Sequence, residues 1–386
     1  MLNRKKKLRI NSAGSWERIC RNIYQRVDLS MEARKARKSC KRQLKTLGGG
    51  LKASNYLYST EVLPFWSRYG IKPKKMWYDL YCYKDERYDP RYIPEDIYWK
   101  VIYPAYNKTN FRHAYTDKCF YNQLFPYLKQ PRTILRNSNN IFYDESGNIV
   151  SLRESQSILQ SEESFVIKPA IYSGEGVDIF FYNKDKDKEM NFTCLMETYK
   201  RNYIVQEIAS QHESLEEIHP DSLNTIRVIS FLFQGEVHIS SAILRMGVGG
   251  SRLDNVSAGG IACPILPTGR LKERAINRKS QWLKSHPGGK VFSEIEIPSY
   301  QRVIEAIDRA HKEIPHFRII GWDFSIDKEG EPVLIEYNGA PGFNQVSCGP
   351  LFGHLTEEVL DEIFLNKSKK STYITGEFVS MKEKIT

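Results

Sequence analysis

The sequence predicts an α+β protein: a body of antiparallel sheets preceded by a helical N-terminal region. After residue 115 the chain alternates short apolar runs with helical stretches, and Gln234-Gly235 and Glu329-Gly330 sit between neighbouring runs as two-residue turns. Glycine supplies the positive φ such turns need, so these runs pair as hairpins. The loop around Ser173-Gly174-Glu175-Gly176 returns into a strand. A Walker loop and a dinucleotide fingerprint both open a helix there, so neither fits. The first 50 residues carry helical periodicity instead.

Composition narrows the class. With 386 residues, 41% hydrophobic and 27% charged, the chain can bury a substantial core. It contains no apolar run of membrane-spanning length, and the basic stretch Arg4 to Arg9 leads into polar Asn11 and Ser12, unlike a secretory leader. A cytoplasmic location follows as an expectation. The seven cysteines are scattered without a Cys-x-x-Cys pair, and the eight histidines lack a ligand spacing. Any metal here should therefore be a hard ion held by oxygens.

The net charge of +11 is local. Residues 1–50 hold 15 Lys and Arg against 3 Asp and Glu, whereas the remainder holds 42 against 43. A general affinity for nucleic acid is not indicated. Within this segment Trp16, Ile19, Cys20, Ile23, Tyr24 and Val27 form one apolar stripe with Ser15 as N-cap, giving a first helix. Ser30 to Leu47 gives a second, highly basic one, stopped by Gly48-Gly49-Gly50. Its cations suit either solvent or an electrostatic contact with anionic lipid headgroups, at the inner face of a membrane, or with a phosphate-bearing substrate.

Residues 51–110 contain 15 aromatics in 60 positions, a cluster better suited to filling a core than to stacking on sugars. Strands are expected at Ser164 to Ile167, Val177 to Tyr182, Tyr203 to Gln206, Thr225 to Phe233, Glu236 to Met246, Arg318 to Ile326 and Pro332 to Tyr337. Pro298 to Glu313 reads as a helix through Val303, Ile304, Ile307 and Ala310. Changes of texture set off 1–50, basic and helical, and 51–114, aromatic-rich and mainly helical, from the body that begins at 115.

The strongest chemical signal is near the C-terminus. Asp323 alternates with apolar neighbours in its strand, and Glu336 and Asn338 share one face of the next. A two-residue turn at Glu329-Gly330 sets Asp323 opposite Glu336, with Asn338 beside them. Two carboxylates and an amide oxygen so placed are expected to form a Mg²⁺ site, completed by phosphates and water; the alternative is a polar hairpin facing solvent. Upstream, the apolar strand Phe165-Val166-Ile167 delivers Lys168, and the glycine loop after it offers backbone N–H groups to phosphates.

Together with Asn224-Thr225-x-Arg227, the stretch Arg245 to Gly260 ending Asp254-Asn255-x-Ser257-Ala258-Gly259-Gly260, and Ile335 to Gly342, these residues resemble the ATP-grasp superfamily, and within it the sugar-transfer-associated ATP-grasp proteins. The resemblance covers roughly residues 100 to 365. It implies the ATP-grasp fold, with two α+β lobes, 115–205 and 206–370, clamping ATP, and 371–386 as a C-terminal tail. It also implies two Mg²⁺ ions, with Mn²⁺ as a substitute, on Asp323, Glu336 and Asn338. Lys118 and Lys168 would approach the nucleotide phosphates, Ser173, Gly174 and Gly176 would form the lid, and Gln206, Glu207, Ile208 and Ala209 would read the adenine. Glu213 would hold the ribose, with Glu216 and Glu217 as alternatives. Arg227, Arg245 and Asn255 would hold an acyl phosphate; Arg252 and Arg270 look like surface residues.

The expected activity is an ATP-dependent carboxylate–amine ligase acting through an acyl phosphate in cell-surface polysaccharide synthesis, on small or lipid-linked substrates such as an amino acid and a sugar acid. The sequence contains no Ser-His or Cys-His nucleophile arrangement, in keeping with chemistry that needs none. The alternatives are a phosphotransferase on the same fold and a non-catalytic nucleotide-binding membrane adaptor.

Overall fold

The computed structural model describes residues 12–47, 55–83, 89–171, 177–365, the side chains of residues 12–25 and 257 excepted. The chain divides into two compact units, Met1–Ala105 and Tyr106–Thr386. Gly48 to Gly50, the loop residues Ser173, Gly174 and Gly176, the tail after 370 and the side chains of the Trp16 to Tyr24 stripe lie outside the described residues.

The first unit is helical. One continuous helix, α1 (Ser12–Thr46), replaces the two expected. Asp28, Leu29, Ser30 and Met31 contain no glycine or proline to interrupt it, and Ser15 lies within the helix instead of capping it. Leu29, Ala33, Ala36 and Cys40 are buried on one face. Against them pack α2 (Lys75–Tyr81) and the turns Glu95–Ile97 and Tyr98–Ile102. The aromatic cluster forms this core: Trp66, Trp77, Tyr78, Tyr98 and Tyr103 are buried, and Trp77 stacks on Tyr81 with ring centroids 6.0 Å apart. The buried carboxylate of Asp96 accepts a hydrogen bond from Trp77 Nε1 at 2.8 Å and pairs with Arg37.

The second unit holds two sheets in which every strand pairs antiparallel with its neighbours. The first is built from β1 (Thr133–Ser138), β2 (Ile141–Tyr143), β3 (Ile149–Val150), β4 (Ser164–Pro169), β5 (Phe180–Asn183) and β6 (Tyr203–Gln206), in the order β3-β2-β1-β6-β4-β5. The buried β6 lies at its centre. Helix α3 (Leu152–Ser161) starts with a Ser151–Glu154 capping box and, with α4 (Phe192–Tyr199), adds to this sheet's core.

The second sheet contains β7 (Thr225–Phe233), β8 (Glu236–Met246), β9 (Ile261–Pro264), β10 (Ala275–Asn277), β11 (Trp282–Leu283), β12 (Ile319–Ile326) and β13 (Pro332–Asn338), in the order β11-β10-β9-β8-β7-β12-β13. The Gln234-Gly235 turn has φ values of 52° and 89°, the left-handed pair such a hairpin requires. Helix α5 (Tyr300–Glu313) turns Val303, Ile307 and Ala310 onto one face of this sheet, where Val228, Leu244, Trp322, Phe324, Leu334 and Tyr337 complete the core. By alternation, Thr225, Arg227, Arg245 and Asp323 emerge on the other face. That face carries the chemistry.

The β12–β13 hairpin differs from the expected two-residue turn. Its strands are joined by Asp327 to Glu331, which sets Phe324 opposite Leu334, and a bulge at Ile335 then shifts the register so that Asp323 faces Glu336. The expected pairing is formed by another route. Two strand starts are also displaced, β5 beginning at Phe180 instead of Val177 and β12 at Ile319 instead of Arg318, and β4, β5 and β13 run on to Pro169, Asn183 and Asn338.

Candidate active site

A cavity of about 630 Å³ opens over this charged face. Its floor is a row across four strands: Ile243 of β8 pairs with Arg227 of β7, Arg227 with Asp323 of β12, and Asp323 with Glu336 of β13. One row along, Arg245 pairs with Thr225. Gly321 leaves space for this arrangement, since a Cβ there would stand 2.9 Å from Pro341 and 3.5 Å from Arg227 Nη1.

The charges pair across the row. Asp323 is 1% exposed. It accepts from Arg227 Nε and, at 2.6 Å, from Arg227 Nη2, a two-pronged contact, and Arg245 Nη2 lies 3.0 Å from Oδ1. Burial opposes the Arg227 charge, but Asp323 outweighs it and holds its pKa above the ordinary value. Arg245 is clamped further: Nε and Nη2 donate to Thr225 Oγ1 at 3.0 and 2.8 Å, and Nη1 donates to Asn255 Oδ1 at 3.0 Å. The Thr225 hydroxyl donates to Asp254, whose carboxylate stands 3.5 Å from Arg245 Nε. Burial raises the Asp254 pKa, with Arg245 and Thr225 pulling it back.

From the other sheet and the segment before it come the two lysines. Lys118 Nζ lies 3.2 Å from Glu336 Oε2. Lys168, at the end of β4, loses hydration and faces the Lys118 charge, which together push its ammonium down to about 8 despite Glu336. Lost hydration works against the Glu336 carboxylate, but Lys118, Lys168, Arg227 and Arg245 prevail and lower its pKa. Asn338 accepts at 2.8 Å from the Ala340 amide, which fixes its oxygen beside Glu336.

The cavity brings together Lys118, Lys168, Gln206, Glu207, Ile208, Ala209, Arg227, Arg245, Asn255, Asp323, Glu336 and Asn338. Glu213 is absent from its lining and Glu216 is present: the helix Glu213–Glu216 carries the second acid one turn closer. Glu217 instead pairs with Lys290. The Gln206 side chain donates to the Pro131 carbonyl and the Glu207 carboxylate accepts from the Arg132 amide.

Sequence reasoning left several residues without a place. Arg252 is exposed, as expected of a surface residue, but it also lines the cavity, with its guanidinium 4.0 Å over the Phe181 ring of β5, joining the two sheets. Thr225 and Asp254 orient Arg245; both lie inside the quoted motifs, and only the β7–β8 register reveals their work. Asn224 is structural: fully buried, its amide reaches Gln211, Leu215 and His219 and ties that loop to the start of β7.

Could Mg²⁺ be held here? A carboxylate offers about four lone-pair directions. The contacts to Asp323 occupy three, and Glu336 and Asn338 face the cavity, so the oxygens suit a hard cation shared with phosphates. Among the described residues no group of three or more His, Cys, Asp or Glu side chains forms a metal cluster; the expected set contains only two carboxylates.

Comparison with known proteins adds the following. No curated protein matches the chain significantly. Solved structures with a remote likeness include an L-amino acid ligase from Bacillus licheniformis, at 12% identity over 66% of this chain and 48% of that one, TM-score 0.36. The VanG D-Ala:D-Ser ligase from Enterococcus faecalis matches at 13% over 64% and 60%, TM-score 0.38. The ATP-grasp ligase PsnB, complexed with minimal precursor, Mg and ADP, matches at 14% over 65% and 59%, TM-score 0.35. The chain thus spans about half to three-fifths of these proteins. The profile of the sugar-transfer-associated ATP-grasp proteins matches residues 100–358, two-thirds of the sequence, and the chain belongs to that family.

Proposed function

We propose that this protein is an ATP-dependent carboxylate–amine ligase that forms an amide through an acyl phosphate. The observation that carries the reading is the charged row: Arg227 and Arg245 on Asp323, with Glu336 alongside, Lys118 paired with Glu336 and Lys168 lining the same cavity. Fixed cations gathered in one cavity are what a triphosphate and an activated carboxylate both require.

In this reading Lys118 and Lys168 bind nucleotide phosphates, the backbone of Gln206 to Ala209 takes the adenine edge, and Glu216 replaces Glu213 at the ribose. Asp323, Glu336 and Asn338 would hold Mg²⁺, which supplies neutralisation of phosphate charge. The substrate carboxylate attacks the γ-phosphorus and ADP leaves; Arg227 and Arg245 hold the acyl phosphate, with Asn255 fixing Arg245. An amine then displaces phosphate and forms the C–N bond. The family association with sugar transfer supports substrates from surface polysaccharide synthesis, such as an amino acid and a sugar acid, free or lipid-linked, at the cytoplasmic face.

Hydroxylamine tests this directly. With the correct carboxylate it traps an acyl phosphate as a hydroxamate, while transfer to a hydroxyl yields none. ADP release across carboxylate and amine pairs, repeated with Glu336→Ala, completes the test. Undiminished turnover in that variant would exclude the metal assignment.

A further inference from the structure

Helix α1 buries one face and leaves the other almost wholly cationic. Leu29, Ala33, Ala36 and Cys40 face the core of the first unit. At about 100° per residue, positions 27, 31, 34, 38, 41 and 45 fall within roughly 40° of one line on the opposite side. Val27, Met31, Arg34, Lys38, Lys41 and Lys45 occupy them, and all six are exposed. Lys35 and Arg42 flank the line and are exposed as well. From Ala33 to Leu47 there is no Asp or Glu. The acids before it, Asp28 and Glu32, lie to the side, where Glu32 pairs with Lys35 at 2.6 Å. Arg37, at the edge of the buried face, is taken by Asp96.

The arrangement along this line decides the partner. Val27 and Met31 are 51% and 46% exposed, and they continue the cationic line toward the N-terminus. A nucleic-acid backbone would use the cations and leave two apolar side chains in water. A bilayer uses both, cations at the headgroups and apolar side chains at the acyl boundary. No helix among the described residues is long and apolar enough to cross a membrane, so the contact is one of lying on the surface. We infer that the exposed face of α1, from Val27 to Lys45, docks on an anionic lipid surface. This contact is independent of the ligase chemistry and extends beyond it.

The test is flotation of the full chain with vesicles of phosphatidylcholine alone or with about 30 mol % phosphatidylserine, in about 0.1 M and about 0.5 M salt. Binding is expected only to the anionic vesicles, falling at least about tenfold at the higher salt. Reversing Lys38, Lys41 and Lys45 to Glu should weaken it by about a hundredfold or more, given about fivefold per cation near such a surface. Val27→Ser with Met31→Ser should cost about three- to tenfold and preserve the salt dependence. Circular dichroism and urea midpoints check that these exposed substitutions leave the fold intact, and replacing the same three lysines with Gln gives a milder variant. Equal binding to neutral vesicles, or an unchanged affinity after charge reversal, overturns the inference. So does tighter binding to homopolymeric RNA that ignores the Val27 and Met31 substitutions. ADP release should be unaffected in every variant, which keeps this result separate from the fate of the ligase reading.

Discussion

Arg252 stacks its guanidinium on Phe181 at 4.0 Å, so the loop after β8 grips the edge strand of the other sheet above the cavity. Such contacts contribute about 0.5–2 kcal/mol. Arg252→Ala is expected to raise the KM for ATP about fivefold with little change in kcat, as for an interaction made equally in ground and transition states. Phe181→Leu should match it, and the double variant should add almost nothing. Additive losses would show that the two residues act separately.

Asp323 neutralises two arginines in a nearly dry setting, and removing one partner of such a cluster costs roughly 3–5 kcal/mol. Asp323→Asn should therefore lower the urea-unfolding free energy by about that amount, even without nucleotide. Glu336→Gln should cost far less, because its side chain is 31% exposed. Equal stabilities for the two variants would contradict the geometry.

His311 gives a pH signature. It is fully buried; Nε2 faces the Phe317 carbonyl at 2.9 Å and so donates, which leaves Nδ1 to accept from Ser230 Oγ at 2.8 Å. Ser230 in turn accepts from Trp322 Nε1. Burial pushes the imidazole down to about 4 from 6.5, against the pull of Phe317 and Asp308. The unfolded chain thus takes the proton first. This contribution is full above pH 6.5 and is lost as pH falls toward 4, by roughly 3 kcal/mol in all. Urea midpoints from pH 7.5 to about 5 should fall more steeply for the wild type than for His311→Gln. Parallel profiles would refute this.

Gly260 sits where the backbone closes on itself. A Cβ there would collide with the carbonyl oxygen of Asp254 and stand 2.7 Å from that of Met246. Gly260→Ala should destabilise by about 2 kcal/mol or more and displace Asp254, reducing turnover as well. A variant of native stability and full activity would mean that the loop yields easily.

The regular strands were legible because their side chains alternate without interruption: β7 and β8 begin and end where the pattern does. The first sheet was harder to read. Strand β1 turns into β2 through Asn139-Asn140, whose φ values of 51° and 69° are left-handed without glycine to announce them. The long helix was divided by a change of composition that backbone hydrogen bonding ignores. At the site, residues on strands came together as their alternation required, while Arg252 and Glu216, on a loop and a short helix, depended on tertiary placement that local pattern does not encode.

The bulge at Ile335 acts as a phase shifter in the hairpin. The tip, from Leu334 to Phe324, keeps one count and the base another, with a single slack residue taking up the mismatch. A change in length near Glu329 can be absorbed there before it reaches the acids, so the alignment of Glu336 with Asp323 and Arg227 is mechanically insulated from the far end of its own strand pair.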